Sequence, residues 1–116
     1  MVETIFQKII DKEIPADIIY EDEKSLVFKD INPVAPIHIL IIPKKQIEKI
    51  SDAEQTDQDL LGHLFLVAGK VARQLGVENA FRLVVNNGAG AQQTVFHLHI
   101  HPVSYTHLTL PTICSV

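Results

Sequence analysis

The sequence predicts an α+β fold: an antiparallel five-stranded sheet with one long and one short helix. Three observations lead there. Five short segments are β-branched or alternate in hydropathy, and brief turns separate most of them, which suits antiparallel strands. One segment over residues 57–75 repeats its apolar side chains at helical spacing. A small apolar cluster near the start has the same spacing and is closed by Pro15.

Taken in order, Ile5, Phe6, Ile9 and Ile10 share one side of the first, short helix. Residues 17–20 and 25–29 read as two strands joined by the acidic turn Glu21-Asp22-Glu23-Lys24. Asn32-Pro33-Val34-Ala35-Pro36 is a loop, because two prolines exclude both helix and central strand. Residues 37–42 form the most β-branched run and predict a central strand stopped by Pro43. Ser51-Asp52-Ala53-Glu54 has the pattern of a capping box opening a helical turn. In the long helix, Leu60, Leu61, Leu64, Phe65, Ala68, Val71, Ala72 and Leu75 make the apolar stripe, and Gly76 stops it. Residues 81–85 predict a strand, residues 86–93 a glycine-bearing loop, and residues 95–101 the last strand.

The chain has 116 residues, enough for one domain with a core of its own. A net charge of −4 argues against broad nucleic-acid binding, which needs a basic face. No apolar run approaches the ~18–20 residues of a membrane span. The start of the chain lacks the basic and apolar regions of a signal peptide. The single cysteine, Cys114, cannot form an internal disulfide and fits a reducing compartment. These features together predict a cytoplasmic protein without nucleic-acid or membrane partners.

The segment that carries chemistry is His97-Leu98-His99-Ile100-His101. On a strand, alternate side chains point the same way, so three imidazoles share a face while Leu98 and Ile100 enter the core. Metal binding by all three is excluded by distance. On a strand rising ~3.3 Å per residue, His97 and His101 lie ~13 Å apart, whereas zinc–nitrogen bonds are ~2.0–2.1 Å. Two of them with His38 could chelate an ion, but no cysteine or carboxylate cluster completes such a site, and no metal or other cofactor is expected. Nucleophilic catalysis at phosphorus is the competing chemistry, since neutral imidazole is nucleophilic near neutral pH. His99, flanked on both sides by donors, is best placed for it. The loop over residues 86–94 lies just upstream, where glycines let backbone N–H groups approach a phosphate.

These histidines resemble the His-φ-His-φ-His motif of the histidine-triad (HIT) superfamily of nucleotide hydrolases and transferases. Thr4-Ile5-Phe6-x-Lys8-Ile9-Ile10, Glu13-Ile14-Pro15, Phe28-x-Asp30-Ile31-x-Pro33-x-Ala35-Pro36-x-His38 and Ile42-Pro43-Lys44-Lys45 resemble its Hint branch, as do Val84-Val85-Asn86 and Gln93-Thr94-Val95-Phe96. The resemblance implies a homodimer that binds purine nucleoside monophosphates and hydrolyses purine nucleoside phosphoramidates. It implies His99 as the nucleophile, His101 as the contact to phosphate and leaving group, and His97 and His38 as supports behind the row. It implies Asp30 as the acceptor for ribose hydroxyls, with Ile5, Phe6, Ile9, Phe28 and Ile31 around the base, and Asn86, Gln93 and Thr94 around the phosphate. The strand over residues 81–85 has too few partners in one chain, so it and the long helix are expected to extend the sheet across a two-fold axis. Two further readings compete: a dinucleoside polyphosphate hydrolase of the same superfamily, and a nucleotide-binding scaffold.

The resemblance covers about residues 2–101 and stops there, which gives residues 1–101 as the expected domain. In place of two apolar residues and a Gly-Gly-Arg-like turn, the chain continues as Pro102-Val103-Ser104-Tyr105. Residues 102–116 are therefore expected to form an atypical, irregular tail.

Overall fold

The structure, a computed structural model, describes residues 3–105. Helix α1 (Ile5–Ile10) starts at Thr4, whose hydroxyl accepts the Gln7 N–H at 3.1 Å and so satisfies one of the open donors of the first turn. Strands β1 (Ile18–Glu21) and β2 (Ser25–Lys29) form a hairpin. Its turn is tied by Asp22 Oδ1, which accepts the Lys24 and Ser25 N–H groups at 2.8 and 2.7 Å. Strand β3 (Ile37–Pro43) pairs with β2 in register from Ser25↔Pro43 to Lys29↔Ile39. Two 3-10 turns, Ile50–Asp52 and Gln55–Asp57, lead into helix α2 (Gln58–Gln74). Strand β4 (Arg82–Val84), a 3-10 turn at Ala89–Ala91 and strand β5 (His101–Ser104) complete the chain. The five strands form one antiparallel sheet in the order β1-β2-β3-β5-β4, which makes β4 an edge. The α+β class read from the sequence is the one observed. Among the described residues, no helix is long and apolar enough to cross a membrane.

β2 and β3 are covered on both faces, and that explains their near-continuous apolar sequence. Val27, Ile39 and Ile41 point to one side and pack with Leu64, Val67, Ala68 and Val71 of α2. Leu26, Phe28, Leu40 and Ile42 point to the other side and pack with Phe6 and Ile9 of α1. Leu98 and Ile100 join the α2 side. The histidines between them therefore turn to the α1 side, which is where the site is built.

Four expectations need correction. The capping box is not Ser51–Glu54; Glu54 and Asp57 cap each other reciprocally, with the Glu54 N–H donating to Asp57 Oδ2 at 2.9 Å. Phe65 leaves the buried stripe of α2 and is 55% exposed, while Val67 takes its place inside. The stripe is narrower than the pattern suggested, because only one side of the helix meets the sheet. The last strand is not residues 95–101 but His101–Ser104.

The shift of that strand has a local cause. Pro43 ends β3 without an N–H to donate, so the ladder on the side of the histidine segment cannot run past it. On the β2 side, by contrast, Lys44 N–H still donates to Lys24 O at 2.8 Å. Residues 95–97 bend there instead. Leu98 N–H donates to Ile47 O at 2.7 Å, and regular pairing resumes only at the Ile41↔Ile100 bridge. Beyond it, Pro102, Val103 and Ser104 continue the strand between β3 and β4, so the irregularity expected from residue 102 is absent there. Val103 packs as core, and Ser104 Oγ donates to Ala80 O at 2.6 Å. The remainder of the expected tail, residues 106–116, lies outside the described residues.

Helix α2 ends as its sequence indicates. Gly76 has φ +75°, and the Gly76 and Val77 N–H groups donate back to Arg73 O and Ala72 O at 3.1 and 2.9 Å. This left-handed glycine termination closes the open carbonyls of the last turn.

Candidate active site

A cleft of about 510 Å³ opens between α1, the start of the chain after β2, and the histidine segment. Ile5, Phe6, Ile9, Phe28, Asp30, Ile31, Thr94, His99 and His101 line it, so most of the residues singled out in the sequence meet in one place. Ile14, Pro15, Ala16, Leu40 and Val95 also line it and were missed. Leu40 had a signal: it lies opposite Phe28 in the β2–β3 register and shares the side of His38 by alternation. Phe6 packs edge-on to Phe28 at 5.5 Å and to His99 at 4.9 Å between ring centres, joining the apolar wall to the histidines.

Each histidine has a different environment, and partners of unambiguous sense fix the proton positions. His97 is fully buried and does not line the cleft. Its Nε2–H donates to Pro43 O at 2.7 Å, the carbonyl left at the end of β3. His99 Nδ1–H donates to His97 O at 2.7 Å. That bond leaves Nε2 of His99 as the nitrogen with the lone pair, on a ring that lines the cleft. Burial lowers the pKa of both His97 and His99, ahead of the opposing effect of their hydrogen bonds to carbonyls. Both are therefore neutral at neutral pH.

His101 is half-buried and stands 4.8 Å from His99 between ring centres. Burial first, then the neighbouring His99 and His38, push its pKa down to about 4. Its Nδ1 is 3.0 Å from His38 Nε2. His38 Nδ1 accepts the Val34 N–H at 3.1 Å, so the hydrogen of neutral His38 is on Nε2 and points at His101. His101 Nδ1 is then an acceptor, and the hydrogen of His101 sits on Nε2, a buried atom with no partner among the described residues. The pair spans 63 positions of sequence and arises because His38 and His101 are diagonal neighbours across β3 and β5.

Asp30 adjoins both. Its Oδ1 accepts the Asn32 N–H at 2.8 Å, and its Oδ2 lies 3.2 Å from His38 Nε2. Asp30, His38 and His101 offer three donor atoms within 4.8 Å of one another, the spacing a metal ion would need. The Val34 bond opposes that use. A metal on His38 Nε2 would force the hydrogen onto Nδ1, against the backbone N–H that Nδ1 now accepts.

Two of the residues expected around a phosphate stand outside the cleft. Gln93 is 2% exposed and stands outside the cleft. Its Oε1 accepts the Gly88 N–H at 2.8 Å, and its Nε2 donates to Glu48 O and Val95 O at 2.7 and 3.0 Å. It pins the loop instead of facing it. Asn86 is half-buried and also stands outside the cleft, whereas Asn87 Oδ1 ties the same loop to Ser51 N–H at 2.8 Å. Only Thr94 of the three lines the cleft.

The chain is similar to known proteins over most of its length. The HIT domain family model matches residues 11–108. An uncharacterized HIT-like protein of Synechocystis is 59% identical over 99 residues, covering 85% of this chain and 87% of its own. A HIT family hydrolase from Legionella pneumophila superposes with a TM-score of 0.87 at 41% identity, covering 94% of this chain and 98% of its own. A histidine triad nucleotide-binding protein from Candida albicans superposes at 0.79 with 30% identity, covering 98% and 87%.

Proposed function

Because this chain belongs to the HIT domain family, we propose that it hydrolyses purine nucleoside phosphoramidates through a nucleotidyl intermediate on His99. The observation that carries the reading is the division of labour between two adjacent imidazoles. His99 is neutral, with Nδ1–H spent on His97 O, and so presents a lone pair. His101 is neutral, with Nδ1 accepting from His38, and so carries its hydrogen on Nε2. A nucleophile and a hydrogen-bond donor side by side suit displacement of an amine from phosphorus.

In the first step the amine nitrogen takes a proton from solvent, His99 Nε2 forms a bond to phosphorus, the P–N bond breaks, and the neutral amine departs hydrogen-bonded by His101 Nε2–H. In the second step water attacks the phosphorus, loses its proton to solvent, and returns His99 to its starting form as the P–N bond to His99 breaks. The apolar wall of Ile5, Phe6, Ile9, Phe28 and Ile31 takes the purine, and Asp30 takes the ribose hydroxyls. Thr94 is the side-chain contact to phosphate, and Gln93 holds the loop that carries it. No metal enters these steps, so turnover is expected to survive a chelator. The domain works as a homodimer joined through β4 and α2, in the reducing cytoplasm that a lone cysteine suits.

The test is turnover of adenosine phosphoramidate by the purified protein, with quenched samples examined by mass spectrometry. A nucleotidyl mass on the peptide holding His97 to His101 is expected in the wild type and in His101→Ala, and is expected to vanish in His99→Ala. Removing one positioned hydrogen-bond donor typically costs ~10²–10³-fold, so His101→Ala slows turnover by that order, most with poor amine leaving groups. An adduct that persists without His99, or no turnover by the wild type, overturns the reading.

A further inference from the structure

The register of β3 against β5 sets Pro43 opposite Leu98, because His38 lies opposite Val103 and Ile41 opposite Ile100. Ile41 and Ile100 exchange both of their backbone hydrogen bonds at 2.9 Å. Pro43 and Leu98 are therefore the next pair that a regular antiparallel ladder joins in the same way. They do not join. Pro43 has no N–H to give Leu98 O. Its carbonyl is taken by His97 Nε2–H at 2.7 Å, and Leu98 N–H turns to Ile47 O, also at 2.7 Å. Pro43, His97 and Leu98 are all fully buried, so water does not compete for these groups.

Leu98 N–H and His97 O belong to one planar trans peptide, in which the two point in opposite directions. The direction of the Leu98 N–H therefore sets the direction of His97 O. His97 O is in turn the acceptor, at 2.7 Å, that fixes the hydrogen of His99 on Nδ1. We infer that Pro43 is a positioning residue for the nucleophile. Its missing N–H frees the 97–98 peptide from the ladder, and the turned carbonyl keeps the His99 lone pair on Nε2. This rests on the proposed reading of His99 as the nucleophile. It also gives the His97 side chain a use: it closes the carbonyl that Pro43 leaves open, while its own Nδ1 stays buried with no partner among the described residues.

The test is Pro43→Val, which keeps a buried apolar side chain of similar size and returns the N–H. That N–H is expected to pair with Leu98 O and draw Leu98 N–H back to the carbonyl at position 43, turning His97 O away from His99. Nitrogen NMR of the free protein reads the tautomer of His99 with no turnover involved. The wild type is expected to hold the His99 hydrogen on Nδ1, and Pro43→Val to show a mixture of both tautomers. With adenosine phosphoramidate, kcat is expected to fall about fivefold, the population effect of one lost hydrogen bond, while KM changes by less than about twofold. Two variants of His97 test the link from its other side. His97→Gln keeps a donor for the Pro43 carbonyl and is expected to keep the His99 spectrum. His97→Leu leaves that buried carbonyl to reclaim Leu98 N–H and is expected to give the mixture. A His99 spectrum unchanged in Pro43→Val overturns the inference, and so does an unchanged spectrum in His97→Leu if Pro43→Val does not fold. Spectra as expected without any turnover support the inference and overturn the phosphoramidase reading alone.

Discussion

Replacing Gln93 distinguishes a residue that touches phosphate from one that holds the loop. Gln93 makes three hydrogen bonds, at 2.8 Å from Gly88 N–H and at 2.7 and 3.0 Å to Glu48 O and Val95 O. A typical bond contributes ~1 kcal/mol net, and a buried group left unpaired costs ~1–3 kcal/mol. Gly88 and Val95 are half-buried and Glu48 is exposed, so water reaches part of what Gln93 would leave behind. The lower figure then applies to each bond, and Gln93→Leu is expected to cost about 3 kcal/mol. For a domain of this size ~1 kcal/mol moves Tm by ~4–8 °C, so thermal unfolding should begin at least about 12 °C lower. Gln93→Glu should cost more at neutral pH, because it turns a carboxylate toward two carbonyl oxygens at a buried position. Calorimetry or circular dichroism reads both. If Gln93→Leu instead moves Tm by less than about 4 °C, the size of a ~1 kcal/mol effect, while raising KM for the nucleotide, then Gln93 faces the phosphate and the loop is held by something else.

Stability should fall as pH drops from 6.5 toward 4, because His101 is held near pKa 4 in the fold while an unfolded histidine titrates near ~6.5. In that window the unfolded chain binds a proton that the folded chain refuses. Discounted for partial exposure, His101 contributes about 1 kcal/mol of this loss by pH 5, and urea titrations of His101→Gln should show a correspondingly flatter profile. Gln92 has φ +70°, a left-handed conformation that costs a side chain ~1–2 kcal/mol, so Gln92→Gly should stabilise by up to about 1 kcal/mol after glycine's own entropy cost; a lower Tm would mean that the Gln92 side chain makes a contact worth more than the strain. β4 is a sheet edge, and Phe65 and Leu66 of α2 are 55% and 76% exposed. Sedimentation at micromolar concentration should therefore give twice the 13.0 kDa chain mass, and a monomer would refute the two-fold assembly.

What local spacing can encode was legible in the sequence. Helical periodicity and Gly76 marked α2 to within a residue at each end, and alternation across residues 97–101 separated the two core residues from the three histidines. That separation survives even though the segment is not a regular strand until His101, because an extended chain alternates its side chains whether or not it is paired. Tertiary structure decided everything that depends on a partner far along the chain. The bend at residues 95–97 answers the missing N–H of Pro43, and the place of Phe65 was decided by how much of α2 the sheet could cover. Gln93 has the side chain of a phosphate ligand, yet its three partners are backbone groups that only the folded loop brings within reach. The proton arrangement of the histidines depends most on the fold. It rests on a proline carbonyl, a loop N–H from Val34 and a contact between His38 and His101, and no periodicity records which of two ring nitrogens will meet a donor.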